Sequence, residues 1–245
     1  MSYDYNEISK IYDDVRQADF EVIKFMINKL NINESSKVLE VGCGTANYLK
    51  LIHDLTKAEV WGVDQSQGML HKAKEKCKSA VLIEDNASEL SKLPVSAFDL
   101  VYMVDVIHHI KDIDKTFQSI NRILKKDGSI VIFSDSHEHI RNRLTTKYFP
   151  ETLDPELKRY QDTSEIIGSL SNSGFNNTEY GSIEIGKDYS YGSRLIEIAS
   201  KKGYSMFGMI SDEAIQRGIE RIRKDMLEGP VVYHQSADYV LARKR

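Results

Sequence analysis

The chain has 245 residues, 41% of them hydrophobic and 29% charged, with 33 Lys plus Arg against 37 Asp plus Glu and a net charge of −4. This is the composition of an ordinary globular protein, and its acidic balance disfavours a partner held by neutralising phosphate backbones, so no nucleic acid is expected. Two cysteines, Cys43 and Cys77, make neither a disulfide framework nor a zinc spacing. No apolar run nears the roughly 18 residues of a membrane span, and Met1-Ser2-Tyr3-Asp4-Tyr5-Asn6 lacks the order of a signal peptide. A cytoplasmic location, with no membrane partner, is the expectation.

Residues 4–30 carry apolar side chains at mixed three and four spacing and predict helix. Val38, Leu39 and Val41 then form a β-favouring run, Gly42 and Gly44 follow at once, and a helical pattern resumes at Asn47 and lasts to about residue 56. The stretch reads as a strand, a tight glycine turn and a helix start. Glycine there lets backbone approach a ligand with no Cβ in the way, and the helix N-terminus beyond offers unsatisfied N–H groups. A second strand at 59–66 reaches Asp64, a lysine-rich helix covers 68–77, and a third strand at 80–86 reaches Asp85. The fourth, 98–110, is apolar until Asp105. An amphipathic helix over 116–128 should close on Gly128 as its C-cap before a fifth strand at 129–136.

Strands alternating with helices predict an α/β fold, a mostly parallel sheet with helices on both faces. After residue 136 the rhythm breaks. Residues 137–161 are polar and aromatic, helix 164–175 and strand 177–186 resume the alternation, 190–228 look helical, and 236–244 close the chain as a strand. One domain over 1–245 is expected, with a helical cover at 1–30, a ligand-binding core at 35–136, and insertions at 137–161 and 187–230 on the acceptor side.

Ligands of open α/β sheets sit at the carboxyl ends of the strands, near the topological switch point. Four strands here end in polar residues: Glu40 to Gly44, Asp64, Asp85-Asn86 and Asp105. Asp64 follows Gly42 by 22 positions, the distance at which an acid meets a ribose diol in dinucleotide sites. The dinucleotide pattern, however, wants a third glycine where this chain has Asn47, and Glu40 in the strand opposes a pyrophosphate. An acid there suits a cationic or amine-bearing ligand such as S-adenosylmethionine, which has a sulfonium, an ammonium and no phosphate. The competing structural readings are a plain βα turn at the glycines and helix N-caps at Asp64 and Asp85.

In this order and spacing the motifs resemble those of the class I S-adenosylmethionine-dependent methyltransferases, in the group with the ubiquinone/menaquinone-biosynthesis-type enzymes. VLEVGCGTANYL is similar to that family's first motif, VWGVDQSQGML to its second and IEDNASELSKLP to its third. FDLVYMVDVIHHI with ILKKDGSIVIFSD resembles the fourth and fifth. Ala46 departs from the family, which often has a third glycine there. The resemblance implies a Rossmann-like fold with a mostly parallel seven-stranded sheet and lid insertions. It also implies S-adenosyl-L-methionine as cofactor, S-adenosyl-L-homocysteine as product and a small-molecule methyl acceptor. The loop Gly42-Cys43-Gly44 would cradle the methionyl part, with Glu40 near its ammonium. Asp64 would accept the ribose hydroxyls beside Gln65, and Asp85 the adenine amino group beside Asn86 and Ala87. Val104 would lie at the donor methyl, and Tyr12 of the N-terminal helix, with Tyr5, over the cofactor.

Methyl transfer from a sulfonium is an in-line displacement, so the enzyme chiefly supplies proximity, alignment and a deprotonated nucleophile. Asp105, His108 and His109 are the candidate catalytic groups, and Asp135, His137 and His139 fall nearby. Two other readings compete: one histidine packs against the sheet, or Asp105, His108 and His109 with His137 bind a divalent metal. No metal is expected. Tyr148, Phe149, Tyr160, Tyr189, Tyr191, Tyr204, Met206 and Phe207 in the insertions either line a partly apolar acceptor site or form the insertions' own core. A monomer or homodimer is expected. The competing functions are an RNA or protein methyltransferase and a cofactor-binding protein without turnover.

Overall fold

The computed structural model describes residues 17–186 and 189–245, Tyr189 by its backbone only. The strands are β1 (Lys37–Val41), β2 (Glu59–Asp64), β3 (Val81–Glu84), β4 (Phe98–Val104), β5 (Leu124–Phe133), β6 (Phe175–Glu184), β7 (Tyr189–Ser190), β8 (Val232–Tyr233) and β9 (Ser236–Lys244). Seven form one sheet in the order β3-β2-β1-β4-β5-β9-β6, the first five parallel and β9 antiparallel between β5 and β6. Strand order reverses between β1 and β4, which places a crevice at their carboxyl ends.

The helices are α1 (Phe20–Leu30), α2 (Asn47–Thr56), α3 (Gln67–Lys76), α4 (Ile113–Ile123), α5 (His137–Asn142), α6 (Leu144–Tyr148), α7 (Leu153–Arg159), α8 (Thr163–Asn172), α9 (Gly192–Ser200) and α10 (Asp212–Glu228). The period-two alternation of β1 sends Leu39 and Val41 into a core shared with Phe117 and Ile120 of α4 and Leu170 of α8. Val38 goes to the opposite core, with Ile23 of α1, Leu49 of α2 and Ala73 of α3. Glu40 follows Val38 onto that second face and lies opposite Gly62 on one side and Tyr102 on the other. Gly62 is needed there, because a Cβ would come within 2.7 Å of Cys43 Sγ and of Leu49 Cδ1.

The boundaries differ most from the sequence expectation at three places. Helix α4 ends at Ile123, not at Gly128, and β5 starts at once with Leu124. Gly128 is therefore no C-cap. It admits close approach instead, since a Cβ would sit 3.0 Å from the Lys125 carbonyl and 3.1 Å from that of Phe98. Strand β4 stops at Val104 because Asp105 turns into the left-handed region at φ 53°, and a short 3₁₀ turn over Ile107–His109 follows. Helix α1 begins at Phe20; the expectation for 4–16 lies outside the described residues.

Both insertions contribute to a third core, built from Tyr148, Phe149, Tyr191, Leu195, Met206, Phe207, Ile215, Ile219 and Ile222. Helix α10 approaches closely enough that a Cβ on Gly218 would overlap the Phe149 ring at 2.1 Å. No described helix is long and apolar enough to cross a membrane.

Candidate active site

The loop after β1 turns on two left-handed glycines, Gly42 at φ 74° and Gly44 at φ 50°. Gly42 also has no room for a side chain, because a Cβ would meet Val106 Cγ2 at 2.5 Å. Ala46 is left-handed as well, at φ 64°, and fully buried as the N-cap of α2. Four of the loop's N–H groups are used within the protein. Those of Gly42 and Cys43 donate to the Val63 carbonyl at 2.7 and 3.0 Å, and that of Ala46 to the Cys43 carbonyl at 2.8 Å. The Gly44 N–H donates to Asp64 Oδ2 at 2.9 Å. A phosphate would find none of these four donors available.

Beneath the loop, Glu40 is buried and accepts a hydrogen bond from the Tyr102 hydroxyl at 3.0 Å. Burial pushes its carboxyl well above the usual range, against the pull of Tyr102 and of the Leu49 backbone and with the negative charge of Asp64. Burial likewise raises the Cys43 thiol, which leaves that residue a protonated wall. Asp64 at the end of β2 accepts from Gly44 and, through Oδ1, from the Ser66 N–H at 2.8 Å. Burial raises its carboxyl, offset in part by the backbone donors of Ser66, Gly44 and Gln65. Gln65 is exposed beside it.

Asp85 lies one strand further, its Oδ1 held by the Asn86 N–H at 2.8 Å and its Oδ2 by that of Lys92 at 3.0 Å. Its own N–H donates to the Asp64 carbonyl at 3.3 Å. Asn86 is exposed, and Ala87 packs on the first core. These residues, Asp64 and the glycine loop lie at the carboxyl ends of adjacent strands. Tyr12 and Tyr5 lie outside the described residues.

A pocket at the switch point is lined by Gln17, Asp19, Glu40, Tyr48, Val104 and Asp105, together with loop residues. The sequence reading missed Asp19 and Tyr48. The Tyr48 hydroxyl donates to Asp19 Oδ2 at 3.2 Å, which ties the start of α1 to α2. Neither has a motif of its own, although Tyr48 sits in the glycine stretch.

His108 is buried, its ring stacked on Tyr160 at 4.1 Å and 20°, while His109 is exposed with its ring 4.1 Å from His108. Tyr160 thus leaves the insertions' own core and faces the strand ends, and burial next to Asp105 raises its hydroxyl. His137 Nε2 lies 2.8 Å from the Tyr160 carbonyl. Among the described residues no group of three or more His, Cys, Asp and Glu is placed to hold a metal.

Behind Asp105 stands an ion-pair cluster of which the sequence reading named Asp135 and His139 but not Arg143, Glu156, Arg159 or Asp238. Arg143 Nη1 donates to Asp135 Oδ2 at 2.9 Å, and Arg143 and Arg159 both grip the fully buried carboxylate of Glu156. His139 lies between Asp238, 3.4 Å from its Nδ1, and Asp135, 4.0 Å from its Nε2. Burial pulls its imidazole down, but the Asp238 bond and the Asp135 charge outweigh that and hold it above the usual value.

A methyltransferase-domain family profile matches residues 39–132. An uncharacterized methyltransferase of Geobacillus sp. strain WCH70 is 30% identical over 134 residues, 54% of this chain and 62% of that one, so the chain spans less than two thirds of that curated relative. A solved chain of Anabaena variabilis, described as a methyltransferase from an antibiotic biosynthesis pathway, superposes with a TM-score of 0.74 at 19% identity, covering 93% of this chain and 98% of that one. The Haemonchus contortus phosphoethanolamine N-methyltransferase 2, in complex with phosphomonomethylethanolamine and S-adenosylhomocysteine, superposes with a TM-score of 0.62 at 19% identity, covering 98% of this chain and 57% of that one. The likeness places the sheet and its covering helices in the Rossmann-like methyltransferase fold.

Proposed function

We propose that the chain, whose residues 39–132 match a methyltransferase-domain profile, is a class I S-adenosylmethionine-dependent methyltransferase that transfers the methyl group of S-adenosylmethionine to a small-molecule acceptor. One observation supports this most: a buried acid, Glu40, lies under a glycine loop four of whose N–H groups are already used. That arrangement suits an ammonium and a sulfonium and disfavours a pyrophosphate.

Gly42, Cys43 and Gly44 would hold the methionyl part, with Glu40 below. Asp64 accepts the ribose hydroxyls, Gln65 runs along the adenosine, and Asp85 accepts from the adenine amino group with Asn86 and Ala87 beside the ring. Val104 and Asp105, which line the pocket, border the transferred methyl. When bound, S-adenosylmethionine supplies an already activated methyl. The protein's residues therefore align the acceptor, exclude water and take up its proton, a role that falls to Asp105 with His108 or His109. His108, buried on Tyr160, orients; His109, exposed, exchanges the proton with solvent. The Haemonchus enzyme, solved with a small phosphobase, supports a small acceptor over RNA or protein. The test is a screen of small metabolites with methyl-labelled S-adenosylmethionine, reading S-adenosylhomocysteine release. Label in a product supports the reading, and label recovered only in RNA or protein overturns the small-molecule assignment.

A further inference from the structure

We infer, on the reading that this site transfers a methyl group, that protonated His139 is a positioning residue: it pins the insertion over 137–161 to β9 and so seats Tyr160 on His108 at the acceptor side. His139 belongs to α5, and its side chain is only 14% exposed. Its two ring nitrogens face two different carboxylates. Nδ1 lies 3.4 Å from Asp238 Oδ1 of β9, and Nε2 lies 4.0 Å from Asp135 Oδ1, just beyond β5. A neutral imidazole carries one N–H and would turn its other lone pair toward an acid, whereas the imidazolium presents an N–H to both.

The charges around the ring favour the same state. Three carboxylates, Asp135, Asp238 and Glu156, stand with two guanidiniums, Arg143 and Arg159, so that set is neutral only when His139 is a cation. Asp105 adds negative charge near Asp135. Helices α6 and α7 pack against α5. On them Lys147 is engaged at Asp225, Arg159 holds Glu156, and Asp154 and Lys158 are exposed, as are Glu138 and Arg141 on α5 itself. Burial works against an ionised Asp238, yet hydrogen bonds from His139 and Ser136 hold its carboxyl well below the usual range.

A short path joins this pin to the acceptor side. Ser136 caps α5 by accepting from the His139 N–H at 3.1 Å, and its own N–H donates to Asp238 Oδ2 at 3.1 Å. His137, the next residue, has Nε2 2.8 Å from the Tyr160 carbonyl. A ring nitrogen facing a carbonyl carries its proton whether the ring is neutral or charged, so that contact survives a change of pH. Tyr160 then stacks on His108, within the 3₁₀ turn over Ile107–His109. Burial lowers the His139 imidazole, but Asp238 and Asp135 hold it above its ordinary value. The pin is therefore fully present below that ordinary value and is lost as pH rises through the folded one. Alkaline solution should loosen the insertion and, with it, the turn that carries His108.

Hydrogen exchange of the free full chain at about pH 6 and about pH 9, corrected for the intrinsic rate, tests this. Protection should fall by at least about threefold, relative to β1 and β4, over 137–161 and together with it over 107–110, where the His109 and Ile110 N–H groups close the turn. His139→Gln should show the lower protection at both pH values. No fall over 137–161 in the native chain overturns the inference, as does the same fall persisting in His139→Gln or full protection of that variant at about pH 6. Loosening of 137–161 with 107–110 unmoved overturns the positioning role, since a purely structural contact would do that much. Calorimetry with S-adenosylhomocysteine on the same chain is read separately: absence of binding removes the methyltransferase reading, while the exchange result decides the role of His139.

Discussion

Asp64 serves two partners with one carboxylate, holding the Gly44 and Ser66 N–H groups while facing the position assigned to the ribose. Asp64→Ala should therefore weaken S-adenosylhomocysteine binding by at least about tenfold and also cost about 1–3 kcal/mol of stability, because two loop donors lose their acceptor. Calorimetry and urea unfolding read the two effects separately, and an unchanged affinity would show that the ribose lies elsewhere. Glu40 gives a pH signature. Its folded value is raised above the unfolded one, so its contribution to stability is present at low pH and is lost as pH rises through the folded value. An ammonium beside it favours the carboxylate. S-adenosylhomocysteine binding should thus expel a proton and tighten as pH rises toward that raised value, and Glu40→Gln should flatten the slope; titrations in buffers of different ionisation enthalpy count the proton. Both acids could be read from the sequence because each ends or precedes the end of an apolar run. Asp19 could not, since only the packing of α1 on α2 brings it to Tyr48.

At the scale of elements, the glycine turn was legible and its reason was only half so. The sequence showed that Gly42 is needed for the turn; the structure adds Val106, which lies 64 positions away and fills the space a Cβ would take. Gly42→Ala should cost about 2–4 kcal/mol, from the left-handed backbone and the overlap together. Val106→Ala added to it should return the overlap part, leaving the backbone part; urea midpoints of the four proteins in that cycle measure the coupling, and strict additivity would refute the contact. The failure at Gly128 has the same origin. A glycine after an amphipathic helix reads as a C-cap, yet here the need comes from the Phe98 carbonyl on a neighbouring strand, which no local pattern encodes. The aromatics of the insertions were ambiguous for a related reason: composition cannot tell a pocket wall from a private core. The structure puts Tyr148, Phe149, Tyr191, Met206 and Phe207 in that core and turns Tyr160 toward His108.

For the whole molecule, strand–helix alternation was enough to predict the parallel sheet, because each apolar strand must be covered on both faces. It could not predict how the insertions dock, which rests on charge rather than periodicity. Arg143 joins Asp135, just beyond β5, to Glu156 of α7. Glu156→Gln leaves the buried Arg143 and the partly buried Arg159 facing a neutral amide and should destabilise by about 3–5 kcal/mol. Hydrogen exchange should show the loss over residues 137–161 before it reaches the central strands, and uniform loss across the sheet would contradict this docking role. The central claim, that the switch-point pocket is built for a sulfonium cofactor rather than a dinucleotide, has a direct measurement: calorimetric titration of the full chain with S-adenosylhomocysteine and, separately, with NAD. The account predicts saturable one-to-one binding of S-adenosylhomocysteine, weakened by Asp64→Ala, and no heat from NAD; saturable NAD binding with no response to S-adenosylhomocysteine would contradict it.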